Sequence, residues 1–289
     1  MLVLIISVLD VCLVGNWFVD RWLWVILGGV GGEFYFFFRG AYYFVRSRVT
    51  LGYMIAENIA KINDILPSGV RLVAVSKLKP AEDVREAYGA GQRLFGENYA
   101  TELRDKAAVL PADIEWHFIG HLQGKQLKYY IPFVSMIHGV DSVEHLVEVE
   151  RAAVKAGRVV DVLLQLHVAQ EETKFGFDFV SGSLTESLDA FAQALVEVDL
   201  PSLTHVRVSG VMGMASHTDD MARVRADFHR IRTVYDRLKE GPFAGSDAFR
   251  EVSMGMSHDW RVAVDEGSTL IRLGTSIFGA RDYSSRLKN

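Results

Sequence analysis

One cysteine, Cys12, is all that 289 residues contain. A single thiol excludes an internal disulfide and any zinc site built on cysteine pairs, and it suits a reducing compartment. Charge is short on the basic side: 31 lysines and arginines stand against 36 acids, the net charge is −5, and no run of Lys or Arg forms a block. Nucleic acid and anionic membrane surfaces are therefore not expected partners. Beyond Met54 there is no Gly-x-Ser-x-Gly elbow, no Walker loop and no HExxH pair, which removes common signatures of acyl-transfer, nucleotide and zinc-peptidase chemistry. His117 and His121 do stand four apart in HFIGH. That stretch reads as a strand running into a turn, where the two would not share a face, so no metal site is expected.

The first fifty residues lack lysine, glutamine, histidine and proline altogether, are about two-thirds apolar, and include Trp17, Trp22 and Trp24. Asp10, Asn16, Asp20 and Arg21 interrupt the apolar run, so no clean stretch reaches the ~20 residues that a membrane span requires. Nor is there the basic n-region and small-residue cleavage site of a signal peptide. Residues 1–50 form an atypical hydrophobic extension with two readings: a start placed too far upstream, Met54 being the true beginning, or a membrane anchor. A membrane is an expected partner only on the second. Residues 51–289 are expected to form one domain.

From Met54 the pattern becomes regular. Ile55, Ile59, Ile62 and Leu66 recur at helical spacing before Pro67-Ser68-Gly69. Eight strand-like runs follow: RLVAVSK, QRLFGEN, IEWHFIG, SMIHGV, VDVLLQLHVA, HVRVSGVMGM, REVSMGM and TLIRLG. Helical stretches alternate with them. One opens with Asp141 and Glu144 at capping-box spacing, and another carries Val224, Phe228, Ile231, Tyr235 and Leu238 on one face. Eight βα units in this length predict an α/β fold, a single (β/α)8 TIM barrel, with an open doubly wound sheet as the alternative.

In such a barrel, function sits at the C-terminal ends of the strands. Those ends offer Lys77, Glu97 and Asn98, His117 and Ile119 to His121, His138 and Asp141, Met212 to Ser216, Met254 to Ser257, and Arg272, Gly274 and Thr275. Gly255, Ser257, Gly274 and Thr275 stand where the last two loops of these barrels often hold a phosphate, or they are ordinary strand-end turns. Lys77 is a solvated turn residue, or an amine held at the mouth by an apolar strand and able to attack an aldehyde. An aldehyde that also bears a phosphate is pyridoxal 5′-phosphate, PLP. The methionines of the two MGM pieces read first as core.

The ordered segments VAVSKLKP, FGENYATEL, WHFIGHLQGKQLKYY, EETKFGF, GVMGMAS, SMGMSHDW and IRLGTSIFGARDY resemble the successive motifs of the pyridoxal phosphate homeostasis protein family, also grouped as proline-synthetase co-transcribed proteins. The resemblance runs from about Met54 to Tyr283. It implies a barrel of the alanine racemase N-terminal kind, PLP fold-type III, with the cofactor as a Schiff base on Lys77. It further implies that Asn98 and Ile119 line the ring, that Ser257, Gly274 and Thr275 cradle the phosphate, and that Arg272 lies near the pyridine nitrogen. Lys79 and Lys174 match accessory lysines of cofactor handling. The expectation is a cytoplasmic protein that buffers or delivers PLP, with PLP-dependent apo-enzymes as recipients, effects on amino-acid metabolism and no catalytic residue of its own. The alternative is a racemase-like PLP enzyme acting on a small amino acid. Against it, only about ten residues follow RLGTSIFGA, too few for the second racemase domain.

Overall fold

The computed structural model describes residues 54–169, 175–180, 183–199 and 202–280. The expectations for residues 1–50 and for Lys174 fall outside these. Helix α1 (residues 54–65) buries Ile55, Ile59 and Ile62 as their spacing predicts. The chain then lays down β1 (Arg71–Val75), α2 (Ala81–Gly89), β2 (Leu94–Glu97), α3 (Ala100–Ala107), β3 (Glu115–Phe118) and a 3-10 turn (Gly124–Tyr129). Next come β4 (Met136–Val140), α4 (Val143–Ala156), β5 (Val160–His167), β6 (Phe177–Asp178), α5 (Leu184–Glu197) and β7 (Val206–Gly213). Helix α6 (Met221–Glu240), β8 (Glu251–Ser253), α7 (Trp260–Asp265), β9 (Leu270–Leu273) and α8 (Thr275–Phe278) complete the described chain.

Eight of the strands close a ring in the order β1-β2-β3-β4-β5-β7-β8-β9, with every pairing parallel and β9 bonded back to β1. These are the eight runs outlined by the sequence, and the two-residue β6 is an outlier on the end of β5. A parallel ladder needs a crossover between neighbours, and the helices supply it while covering the outer face. Alternation along the strands then sorts the side chains. Leu72, Ala74, Trp116, Phe118, Val252, Ile271 and Leu273 pack outward among helix residues such as Val224, Phe228 and Ile231. Val73, Met136, Leu163, Met212 and Leu270 form a separate cluster. Five strands can converge on one cluster only inside the ring, so this is the lumen's apolar filling. Met212 and Met254 are both buried, one inside the ring and one outside it.

Two local expectations change. The capping box on α4 is replaced by a simpler cap: Ser142 Oγ accepts from the His145 amide at 3.2 Å, while Asp141 takes the His145 ring at 2.5 Å. The unit after β3 closes with a 3-10 turn in place of an α-helix. The Glu148 carboxylate of α4 lies where a Cβ on Gly124 would go, so the turn is pressed onto its neighbour from its first residue. No described helix is long and apolar enough to cross a membrane. Phe228 is fully buried beneath α6. Replacing it with Ala is expected to cost about 3–5 kcal/mol, read as a lower urea midpoint with an unchanged slope.

Candidate functional site at the barrel mouth

Lys77 leaves β1 on a short segment that is held at several points. The Ser76 amide donates to Gly96 O at 3.0 Å, and the Lys79 amide closes back on Ser76 O at 3.1 Å. Between the two lysines, Leu78 adopts φ 61°, a left-handed conformation rare for a γ-branched residue and kept only where surroundings enforce it. The enforcement is visible: the Leu78 amide donates to Glu102 Oε1 at 2.7 Å. Behind the segment, the buried Lys106 ammonium donates to Ser76 O (2.7 Å), Glu97 Oε1 (2.6 Å) and Glu102 Oε1 (2.7 Å). Ser76 Oγ adds a bond to Glu97 at 2.7 Å. Burial lifts the Glu97 carboxyl to about 7 even though Lys106 pulls it down. Desolvation wins because the side chain is fully enclosed.

Asn98 follows β2 and Ile119 follows β3. The Asn98 side-chain oxygen is shielded from solvent and has no hydrogen-bond partner among the described residues. Ile119 packs over Gly96, where a Cβ would come within 3.1 Å of it and of Val73, so the glycine keeps the upper lumen open. On the other side, Gly255 takes φ 96°, and a Cβ there would meet that of Ala263 at 2.7 Å. The turn it begins is held by Asp259, buried, whose Oδ1 accepts from the Met256 amide at 2.6 Å. Ser257 sits half-buried on this turn, beside buried Gly274 and exposed Thr275 at the head of α8. Ser216 Oγ, after β7, and Glu97 Oε2 are likewise buried with no hydrogen-bond partner among the described residues.

Arg272 points inward from β9. Its Nη1 donates to Ser253 Oγ at 2.5 Å and its Nη2 to Gly213 O at 3.0 Å. Burial depresses its pKa to about 10, with Asp259 acting the other way. Arg272 forms no ion pair among the described residues, and the Asp259 carboxylate offsets its charge only through space. His138, from β4, contacts both Ser253 Oγ (3.1 Å) and His117 Nδ1 (3.0 Å). His117 therefore does not face the mouth. It lines a cavity of about 380 Å³ with Arg71, Glu115, Ser135 and Glu251 at the N-terminal ends of the strands. The correction follows from depth in the ring: His117 pairs with Met136, the first residue of β4, so its inward side chain lies one level below that of Ile119.

The structure brings Lys77, Asn98, Ile119, Ser257, Arg272, Gly274 and Thr275 onto five neighbouring strands, β3-β2-β1-β9-β8, with Lys77 in the middle. Lys79 turns aside: its ammonium donates to Phe278 O at 2.8 Å and Ala280 O at 2.6 Å, tying the Lys77 segment to the end of α8. Lys106, Glu102 and Asp259 were missed by sequence reasoning. A lysine and a glutamate four apart on a helix normally signal an exposed pair, and only tertiary contact buries these. Among the described residues, no group of three or more His, Cys, Asp or Glu could hold a metal ion.

Residues 54–282 match the family model "Alanine racemase, N-terminal domain", so ring and mouth together define a barrel of that class. A pyridoxal phosphate homeostasis protein of Aquifex aeolicus (strain VF5) is 36% identical over 214 residues, 74% of this chain and 88% of that one. The Mus musculus protein of the same name is 39% identical over 243 residues, 80% of this chain and 85% of its own. Among solved structures, PipY of Synechococcus elongatus PCC7942, a COG0325 family member, is 36% identical over 78% of this chain and 100% of its own. Its TM-score is 0.70 without PLP and 0.66 with PLP bound. The chain belongs to the pyridoxal phosphate homeostasis protein family.

Two expectations follow from the buried charges. Lys106→Met leaves Glu97 and Glu102 facing each other without their cation, and should cost about 3 kcal/mol in urea denaturation, partly recovered by adding Glu97→Gln. Acid should also destabilise. Burial, aided by Arg71, holds His117 near pKa 3, and burial with the neighbouring cationic groups holds His138 well below its usual value. Both bind fewer protons folded than unfolded, so their contribution is present above pH ~6.5 and is lost as pH falls toward ~3. Glu97 opposes this, favouring the fold below pH ~4.5 and losing that contribution as pH rises through ~7. Two histidines outweigh one carboxylate between those limits, so stability should fall on acidification by up to about 1.4 kcal/mol per pH unit. His117→Asn should flatten that limb.

Proposed function

We propose that this protein binds PLP at the barrel mouth and serves to hold and hand over the cofactor, without a turnover reaction of its own. One observation carries the reading. Lys77 stands at the centre of an arc whose one flank offers an unpartnered Asn98 oxygen and whose other flank offers glycine and hydroxyl turns, with the Arg272 guanidinium beneath, anchored on Ser253 and Gly213. The residues fit the group: an aldehyde needs an amine, a phosphate needs close backbone and hydroxyls, and a ring nitrogen that is to stay unprotonated needs a donor. Lys77 would hold the cofactor as a Schiff base. Ser257, Gly274 and Thr275 would surround the phosphate, Asn98 and Ile119 would line the ring, and Arg272 would meet the nitrogen. That the relative PipY has a structure with PLP bound supports a PLP site on a barrel of this kind.

The cofactor, when bound, supplies a carbonyl carbon for amines and a ring able to withdraw electrons. Arg272 limits the second ability, because a cation beside the nitrogen disfavours its protonation. Its burial without an ion pair among the described residues preserves that effect, which supports holding over turnover. Lys79, fastened to the carbonyls of Phe278 and Ala280 at the end of α8, links the lysine segment to the phosphate turn, and this suits a role in loading and release, with Lys174 as a second accessory lysine. Apo-enzymes that need PLP are the proposed recipients, and the cytoplasm is the proposed compartment. The barrel domain is taken to begin near Met54, where the family match begins.

Adding PLP to the purified protein should produce an absorbance band that borohydride fixes onto the peptide containing Lys77. Lys77→Ala should abolish the adduct while leaving the thermal midpoint within a few degrees, and Thr275→Ala should weaken PLP binding about tenfold, the loss of one hydrogen bond to a charged group. Robust lysine-dependent α-proton exchange across a panel of amino acids would instead establish the racemase-like enzyme.

A further inference from the structure

His117, His138 and Ser253 have no part in the function just described, yet all three are buried and bonded in series to Arg272. They come from β3, β4 and β8, and β4 and β8 are not neighbours in the ring. The series therefore crosses the lumen. Its direction follows from counting hydrogens. A guanidinium has only donors, so Ser253 Oγ accepts from Arg272 Nη1 at 2.5 Å. The Ser253 hydrogen then goes to His138 Nδ1, 3.1 Å away. His138 thereby carries its own hydrogen on Nε2 and gives it to His117 Nδ1 at 3.0 Å. Reversing the two imidazoles would leave the hydroxyl hydrogen of a fully buried serine with no acceptor among its described partners, an arrangement native interiors avoid.

We propose that His117, His138 and Ser253 are positioning residues: their one-way hydrogen-bond series holds Ser253 with only lone pairs toward Arg272 and so fixes the guanidinium for contact with the cofactor's ring nitrogen. The proposal rests on the PLP reading above. Without His138 the Ser253 hydroxyl can rotate its hydrogen toward the guanidinium, and one of the two inward anchors is lost. Gly213 O, at 3.0 Å, then remains alone. Of the five guanidinium N–H groups, two are spent on these anchors. The direction in which the other three point depends on both holding.

The test uses the full chain loaded with PLP, in wild type, Ser253→Ala, His138→Leu and His138→Gln. A glutamine amide can accept from Ser253 and donate to His117, so it reproduces the imidazole's two bonds. Each protein is read for borohydride trapping on Lys77, the absorption maximum of the trapped-competent form, PLP affinity and thermal midpoint. Ser253→Ala and His138→Leu are expected to trap PLP on Lys77 but to bind it about tenfold more weakly, with a displaced absorption maximum. His138→Gln is expected to restore both readouts toward wild type. If His138→Leu fails to fold, Ser253→Ala and His138→Gln decide alone. A folded Ser253→Ala with wild-type absorption and affinity overturns the proposal and leaves the PLP reading standing. Absence of trapping on Lys77 in wild type overturns both.

Discussion

The pairing of β1 with β9, running from Arg71 against Leu270 to Ala74 against Leu273, is the interaction on which everything at the mouth depends. It joins the first ring strand to the last. Lys77 and the Gly274–Thr275 turn are separated by nearly the whole domain in sequence, and this ladder makes them neighbours. It also puts the residues of β2 and β3 on one side of Lys77 and those of β8 on the other. Each bond in the ladder is individually modest, but the ring has no edge, so no strand can slip without breaking pairings on both sides.

Two buried cations beside the site are treated in opposite ways. Lys106 has Glu97 and Glu102 as partners and a backbone carbonyl as well. Its charge is consumed locally, and what it provides is a fixed shape for Ser76, Lys77 and Leu78. Arg272 has a hydroxyl and a carbonyl as partners and no ion pair among the described residues, with Asp259 acting on it only through space. Leaving a charge without an ion pair in a low-dielectric lumen is costly, and the cost is tolerated where the charge has something to do. The neutral histidines next to it, kept uncharged by burial, add polar contacts without adding a second cation.

The ring was legible in the sequence because a strand buried on both faces must be an apolar run, and because glycine and proline punctuate each end. All eight runs became strands, and the strand-end rule located Lys77, Asn98, Ile119, Ser257, Gly274 and Thr275 at one rim. The rule misplaced His117, since an apolar-looking WHFIG run does not reveal how deep in the ring each inward residue stands. It also could not foresee that His117, His138 and Ser253, in three separate motifs, would meet across the lumen. Such contacts depend on ring closure and stagger, which no local spacing encodes. The Lys106 network and the left-handed Leu78 were hidden for the same reason. Each is imposed by partners far away in the chain, and leucine gives no local hint of a positive φ.

The site occupies five adjacent strands of eight, and that has a mechanical consequence. Whatever the arc grips is gripped from one side, as by a clip. Strands β4, β5 and β7 complete the ring through their own ladders, and no pairing among them depends on the arc being filled. A bound molecule can therefore depart with every strand still paired. Letting go becomes an affair of side chains and loops, whose motions run from picoseconds to microseconds, and the barrel itself never has to open.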